Sequence, residues 1–102
     1  MKVVVTEFAN EEIKSIHRYY KKRASKNVAD KLVSKIFDSI EMLKQMPKGG
    51  SVESLLRQLH QHHRFILAGN YKIIFKTSGD IIYVTDVFDT RQNPSKIPNR
   101  NK

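Results

Sequence analysis

Apolar residues recur at intervals of three and four through the first half of the chain, which predicts two amphipathic helices joined by a short turn. Asn10 is the expected cap of the first helix, and either Ser25 or Asn27 is expected to cap the second. The second helix is expected to stop at residues 46–50, where proline and glycine disfavour further helix. The apolar stripes that define the two helices are Ala9, Ile13, Ile16 and Tyr20, followed by Val28, Leu32, Ile36, Ile40 and Leu43.

β-Branched and aromatic residues dominate the start and the second half of the chain, where they predict four strands. Short glycine-containing turns separate the last three strands, so we expect an antiparallel meander. Residues 51–61 contain three leucines and are expected to form a turn and a connector. The fold class is therefore α+β, in the order β-α-α-β-β-β, with a helical hairpin packed on one face of the sheet. The predicted strands are residues 1–6, 63–68, 71–76 and 81–88, with turns at Gly69-Asn70 and Ser78-Gly79.

Strict alternation along the strands assigns their side chains to two faces of the sheet. One face is apolar and suits the helices, whereas the opposite face, which we call the open face, is mixed and is expected to be available to a partner. A two-residue turn at Gly69-Asn70 places His63 beside Lys72 on the open face, whereas a bulge would place Arg64 there. The predicted helix face comprises Tyr71, Ile73, Phe75, Ile82, Val84 and Phe88, and the open face comprises Lys72, Ile74, Lys76, Ile81, Tyr83, Thr85 and Val87.

Length and composition favour a single globular domain. With 102 residues, of which 39% are apolar and 28% charged, the chain is long enough for one modest core. We expect one domain over residues 1–102, with a basic tail over residues 90–102. No apolar run exceeds four residues, far below the roughly 20 that cross a bilayer, and the first residues lack a signal-peptide pattern. A cytoplasmic protein with no membrane partner is the expectation.

The residue types that bind metals or form thiolate nucleophiles are scarce. The chain has no cysteine, which excludes thiolate catalysis and cysteine-based zinc sites. His60, His62 and His63 cluster without a matching pattern of carboxylates, and His17 stands alone on a predicted helix. We therefore expect no metal and no cofactor.

Charge is the most unusual compositional feature, because 19 Lys and Arg residues against 10 Asp and Glu residues give a net charge of +9. Such a charge favours polyanionic or acidic partners. Lys21, Lys22 and Arg23 resemble a nucleic-acid patch, but the helix macrodipole alone favours cations at the end of a helix. Charge therefore leaves the class of partner open.

Basic and aromatic residues on the predicted strands suggest one possible chemistry, the cleavage of RNA through its own 2′-hydroxyl. This reaction needs a base, a positive charge on the phosphorane and an acid for the leaving oxygen. Lys72, either Arg64 or His63, and Tyr83 are the candidate catalytic residues. The alternative interpretation is that strand lysines only keep the sheet soluble.

The segment after the last predicted strand offers a second kind of site. Arg91 lies where the chain leaves the sheet, a position that presents a guanidinium to a partner, and Pro94 restricts the residue before it. We predict that Arg91, Asp89 and Lys76 bind a target. In the alternative interpretation, Asp89 and Arg91 satisfy each other or the local backbone.

The order of elements, the strand Gly-Asn-Tyr-Lys-Ile-Ile-Phe at residues 69–75 and the ending at residues 84–94 together resemble the RelE/ParE superfamily of type II toxins. The resemblance extends over nearly the whole chain, from residues 3–6 to the terminal Arg-x-x-Pro. It implies a small basic toxin that is neutralised by a cognate antitoxin encoded beside it. It also implies that operator DNA is bound only through the toxin-antitoxin complex.

The two branches of this superfamily differ in activity, since RelE-like members cut mRNA on the ribosome and ParE-like members inhibit DNA gyrase. In the RelE-like comparison, Lys72 occupies a third-strand arginine position and His63 or Arg64 approximates a second-strand lysine. The ending is more similar to the ParE-type His-x-Arg-Arg-x-Pro, with Asp89 in place of the histidine and Gln92 in place of the second arginine. The resemblance therefore favours a ParE-like gyrase inhibitor, with a RelE-like endoribonuclease or a non-toxic basic binding module as alternatives.

Overall fold

A computed structural model describes residues 2–45, 51–53, 62–92 and 94–100 of the chain. The predicted helix stop at residues 46–50 lies outside the described residues, as do residues 54–61 of the predicted connector. The elements in chain order are β1 (Lys2–Val5), α1 (Glu7–Arg23), α2 (Lys26–Met42), β2 (Ser51–Val52), β3 (Arg64–Ala68), β4 (Tyr71–Ser78), β5 (Ile81–Asp89), a 3-10 turn (Pro94–Lys96) and α3 (Ile97–Arg100).

The strands form one five-stranded sheet in the order β1-β5-β4-β3-β2. β3, β4 and β5 form the predicted antiparallel meander, and β1 pairs in parallel with β5. The predicted α+β class and element order are confirmed. One difference is that residues 51–52, predicted as part of a connector, form the short strand β2 against β3.

Polar residues at the helix starts explain where the two helices begin. The Thr6 side chain accepts a hydrogen bond from the Ala9 backbone N–H at 3.2 Å, so α1 starts directly after β1. The prediction of Asn10 as the cap is wrong, because the Asn10 N–H donates to the Thr6 carbonyl within the helix. Ser25 caps α2 by accepting from the Val28 N–H at 3.1 Å, as one of the two predicted candidates.

The helical hairpin covers one face of the sheet and forms the main core with it. Removing such apolar surface from water is the dominant favourable contribution to folding. Both predicted apolar stripes reach this core except at Val28, the first residue of the second stripe, which is exposed. Helix α1 packs against both α2 and β5. The buried residues that meet here include Ala9, Ile13, Ile36, Ile40 and Leu43 from the helices and Ile73, Phe75, Ile82, Val84 and Val87 from the sheet.

A bulge in β5 changes the predicted faces of the sheet. Ile74 pairs with Asp86 and Phe75 pairs with Val84, so the register skips Thr85. An extra residue in one strand reverses the alternation beyond it. Val87 consequently joins the helix-facing core and Phe88 turns to the opposite face, the reverse of the prediction for these two residues.

The tail covers the centre of the open face. Ile97 in α3 is fully buried against Ile74 and Phe88, with Phe65 packed at the side. The expectation that the whole open face is available to a partner is therefore wrong, because the chain's own tail shields its apolar centre. No helix in the described part of the chain is both long and apolar enough to cross a membrane.

Candidate functional site

At the end of β5, Asp89 holds the side chain of Arg91 in a fixed orientation. Asp89 Oδ1 accepts hydrogen bonds from the Arg91 backbone N–H and from Arg91 Nε, each at 2.9 Å. Asp89 Oδ2 accepts from Arg91 Nη2 at 2.8 Å. A two-point contact between guanidinium and carboxylate restricts the orientation of both groups. The local interpretation, in which Asp89 and Arg91 satisfy each other, describes this contact correctly.

Two tyrosines extend this contact into the core. The Tyr20 hydroxyl, near the end of α1, accepts a hydrogen bond from Arg91 Nη2 at 3.0 Å. The Tyr71 hydroxyl, at the start of β4, donates to the same Tyr20 oxygen at 3.4 Å. The Arg91 side chain nevertheless remains 54% exposed. The guanidinium is therefore held by β5 and α1, with β4 supporting Tyr20, and it still faces solvent.

The electrostatics of this cluster favour the charged forms of the acid and the arginine. The Arg91 hydrogen bonds hold the pKa of Asp89 below its usual value, and Asp89, followed by Tyr20, raises the pKa of Arg91. Hydrogen bonds from Tyr71 and Arg91 lower the pKa of Tyr20, whereas burial, followed by the Tyr20 contact, raises the pKa of Tyr71. Asp89 and Arg91 thus form an ion pair at neutral pH, and Tyr71 keeps its proton.

A groove of about 440 Å³ lies beside the guanidinium, between α1 and β5. Its lining includes the buried Tyr71 and Val87, the half-buried Ile16 and Glu12, and the exposed Arg91. Apolar side chains beside a fixed cation suit a protein segment that carries an apolar side chain next to an acidic one. The bulge contributes to this site, since it turns Val87 toward the groove.

Tyr20 and Tyr71 are parts of the site that the sequence pattern does not predict. Tyr20 ends the apolar stripe of α1, and alternation places Tyr71 on the helix face of the sheet, so the pattern predicts a core position for both. The available signal was their hydroxyl, because a buried tyrosine usually directs its hydroxyl to a hydrogen-bond partner.

Lys72 forms a partly buried ion pair on the opposite side of the sheet. Its Nζ lies 2.8 Å from Glu53 Oε2 and 4.3 Å from the centre of the Phe65 ring. Glu53 is 2% exposed and follows β2 directly. Since the carboxylate compensates the ammonium charge, Lys72 contributes little net positive charge for a phosphate.

The other candidate catalytic residues do not converge on Lys72. The β3–β4 register pairs Leu67 with Lys72 and Arg64 with Phe75, which places Arg64 on the helix-facing side and His63 on the side of Lys72, as a two-residue turn predicts. Tyr83 pairs with Lys76, four residues along β4 from Lys72, a separation of about 13 Å. Continuing the β3–β4 register places His63 beside Lys76, and His63 is linked to Lys72 only through Glu53, whose N–H donates to the His63 carbonyl and whose carboxylate pairs with Lys72.

His63 is buried, with 2% of its surface exposed. Neither ring nitrogen has a hydrogen-bond partner among the described residues. Burial lowers the pKa of His63, the charge of Lys76 lowers it further, and Glu53 acts in the opposite direction. A neutral imidazole is the form that this position favours.

Lys76 does not join Arg91 and Asp89. It lies on the face of β4 opposite the helices, beside Tyr83, whereas Asp89 pairs with Tyr71 at the other end of the strand. Of the three predicted target-binding residues, the structure brings together only Asp89 and Arg91. Within the described ranges, no group of three or more His, Asp or Glu residues is arranged to hold a metal ion.

Comparison with known proteins places this geometry in context. The sequence model of the ParE toxin of the type II toxin-antitoxin system, parDE, matches residues 3–94. A chain in the solved structure of the chromosomal ParDE TA system from P. aeruginosa superposes with a TM-score of 0.76 at 18% identity, covering 87% of this chain and 95% of that chain. At that identity the similarity concerns the fold. None of the curated proteins matches the sequence.

Proposed function

The chain belongs to the ParE toxin family of type II toxin-antitoxin systems, and from this premise we propose that it inhibits growth by binding DNA gyrase. In this proposal it acts as a cytoplasmic binding inhibitor and catalyses no reaction. A cognate antitoxin neutralises it, and operator DNA is recognised by the toxin-antitoxin complex.

The observation that carries the proposal is the fixed guanidinium of Arg91 at the end of β5. Asp89 and Tyr20 engage Nε and Nη2, and no described residue bonds Nη1. An arginine whose orientation is already restricted loses less entropy when it binds, and arginines are enriched among residues that dominate interfaces. Arg91 also stands in the Arg-x-x-Pro ending that resembles the ParE type. We therefore assign Arg91 as the principal target contact, with Asp89 as its positioning residue.

The positions of the ribonuclease candidates support a binding inhibitor over an endonuclease. Lys72 is paired with Glu53, and Arg64 points to the opposite side of the sheet. A phosphoryl transition state needs its acid, base and cation within reach of one phosphate. The separation between Lys72 and Tyr83 does not meet this requirement.

The groove beside Arg91 is the surface that we assign to the antitoxin. Ile16 and Val87 give it apolar side chains, and Arg91 gives it a cation. An acidic partner is favoured by the net charge of +9. The centre of the open face is less suitable, since Ile97 already covers it. Occupation of the groove would cover Arg91 and so block the target contact.

The decisive experiment compares two activities of the purified protein. We expect it to inhibit supercoiling of relaxed plasmid by gyrase and to leave ribosome-bound mRNA intact. Arg91→Ala should raise the half-inhibitory concentration by about 10-fold or more, the scale for losing a dominant interface residue. Lys35→Ala, an exposed cation on α2, is the matched control and should inhibit like the wild type.

Two outcomes would contradict the proposal. Cleavage of ribosome-bound mRNA without any effect on supercoiling would favour the RelE-like endoribonuclease. Full inhibition by Arg91→Ala, with unchanged folding, would mean that the Asp89 and Arg91 contact serves only the local backbone.

A further inference from the structure

The last turns of α1, next to its junction with α2, carry a cluster of cations that the proposed function does not use. Arg18, Lys21, Lys22 and Arg23 are all exposed, and the last three occupy the final turn of α1. We call these four residues the basic tip. Lys21 and Lys22 lie three and four positions after Arg18, so these three side chains are neighbours on one surface. Arg23 is the last residue of α1 and adds its charge at the end of the helix.

No carboxylate among the described residues forms an ion pair with the basic tip. Some other cations of the hairpin do form ion pairs, as Lys14 does with Glu11 and Lys26 with Asp30. No ion pair joins any of the four tip residues to another described residue. The sequence has no acidic residue from position 13 to position 29, and the first turn of α2 has none either. The helix macrodipole favours cations in the last turn of α1, but Arg18 lies one turn earlier.

An aromatic residue holds part of the basic tip in place. The Arg23 guanidinium lies 4.8 Å from the centre of the Tyr19 ring, a cation-π contact. Tyr19 packs edge-on against Tyr20 at 5.1 Å, and Tyr20 contacts Arg91. The basic tip therefore adjoins the Arg91 site through two consecutive tyrosines.

We propose that the basic tip is a binding site for the phosphate backbone of double-stranded DNA. Duplex DNA carries a dense line of negative charge, and cations that contact it release condensed counterions. Four exposed Arg and Lys side chains at a helix end match this chemistry, and contacts of this kind carry no base-sequence information. The inference goes beyond the proposed function, since it requires neither gyrase nor the antitoxin and differs from recognition of an operator by the complex.

The test measures binding of the purified full chain to a fluorescent duplex of about 20 base pairs by anisotropy, from about 50 to 200 mM salt. The tip variant combines Lys21→Gln, Lys22→Gln and Arg23→Gln. The control combines Lys2→Gln, Lys35→Gln and Lys96→Gln, three exposed cations outside the tip, and so loses the same charge. We expect the tip variant to bind at least about 10-fold more weakly and its salt slope to fall by about 2.7, as for three lost phosphate contacts. The control should stay within about 3-fold of the wild type.

Two results would overturn the inference. Equal losses in the tip and control variants would show that binding follows overall charge and not this surface. Competition by a poly-glutamate peptide that is as effective as unlabelled duplex of equal charge would assign the tip to an acidic protein partner. Because the binding assay contains no gyrase, a negative result leaves the proposed function untouched, and gyrase inhibition by the same variants tests that function separately.

Discussion

Arg91 and Tyr20 are 71 positions apart in the sequence, yet Arg91 Nη2 donates a 3.0 Å hydrogen bond to the Tyr20 hydroxyl. The contact joins the end of β5 to the last turns of α1. It makes the orientation of an exposed arginine depend on correct packing of the helical hairpin. A substitution that disturbs the packing of the hairpin is therefore expected to reduce target binding, even where it leaves Arg91 and Asp89 unchanged.

Removal of the Tyr20 hydroxyl tests this dependence. Tyr20→Phe loses the bonds to both Arg91 and Tyr71, whereas the matched variant Tyr71→Phe loses only the bond between the two tyrosines. Tyr71→Phe should lower the free energy of unfolding by about 0.5 kcal/mol, the lower end for one hydrogen bond, and Tyr20→Phe by about 1 kcal/mol for two. Only Tyr20→Phe should weaken gyrase inhibition, by about 3- to 10-fold. Urea unfolding and supercoiling assays measure the two effects, and equal inhibition by both variants would refute a positioning role for Tyr20.

The ion pair between Lys72 and Glu53 should behave as a structural element. Lys72→Met leaves a carboxylate that is 2% exposed without its lysine partner, so we expect the free energy of unfolding to fall by about 2 kcal/mol. This value is below the range for fully buried pairs, because the Lys72 side chain is 21% exposed. The double variant Lys72→Met/Glu53→Gln should recover at least half of the loss in urea unfolding. No recovery would indicate that Glu53 is stabilised chiefly by other contacts.

Acid should destabilise the protein through His63. Burial lowers the folded-state pKa of His63 below the unfolded value of 6.5, so the unfolded chain takes up the proton first. The contribution of the neutral imidazole is complete above the unfolded pKa and declines as pH falls from there through the folded pKa. We expect the urea midpoint to fall between about pH 7.5 and pH 5.5, and to fall less in His63→Leu. His62→Asn, at an exposed neighbour whose φ of 56° asparagine tolerates, should keep the wild-type decrease.

The small core under the tail should open separately from the main core. Ile97 is fully buried, but it belongs to a four-residue helix near the end of the chain. Ile97→Ala is expected to release the tail locally, which increases tryptic cleavage at Lys96 and dye binding to the uncovered Ile74 and Phe88. Ile36→Ala, in the main core, should instead lower the urea midpoint of the whole protein. A shift of the global midpoint by Ile97→Ala as large as that of Ile36→Ala would show that the two cores unfold together.

The sequence pattern predicts the helices and the meander well, because each of these elements depends on residues that are close together in the sequence. The spacing of apolar residues identified both helices, and the glycine turns identified the meander. Asn10 failed as a cap because Thr6 has the same capping chemistry and immediately follows β1. The predicted faces of Val87 and Phe88 are wrong for a different reason. A bulge depends on pairing between strands, so the sequence pattern of one strand does not reveal it.

The candidate site was predictable only in its local part. Asp89 and Arg91 are two positions apart, and their chemistry indicates a contact. Tyr20, Tyr71 and Glu53 were not recognised, because the contacts that give them a role join residues that are distant in sequence. Lys72 shows the effect most clearly, since a lysine that alternation places on an exposed face is paired with a buried acid, Glu53, that follows β2.

The parallel pairing of β1 with β5 also determines when this protein can complete its fold. Lys2 pairs with Ile81 and Val5 pairs with Val84, so β1 cannot pair until β5, the last of the described strands in chain order, has been synthesised. Closing so long a segment carries an entropic cost before its contacts are gained, and contacts between distant residues slow folding. The Arg91 site requires the same closure, because Tyr20 is synthesised long before Arg91. A nascent chain therefore cannot assemble the Arg91 site before Arg91 itself has been synthesised and β1 has paired with β5.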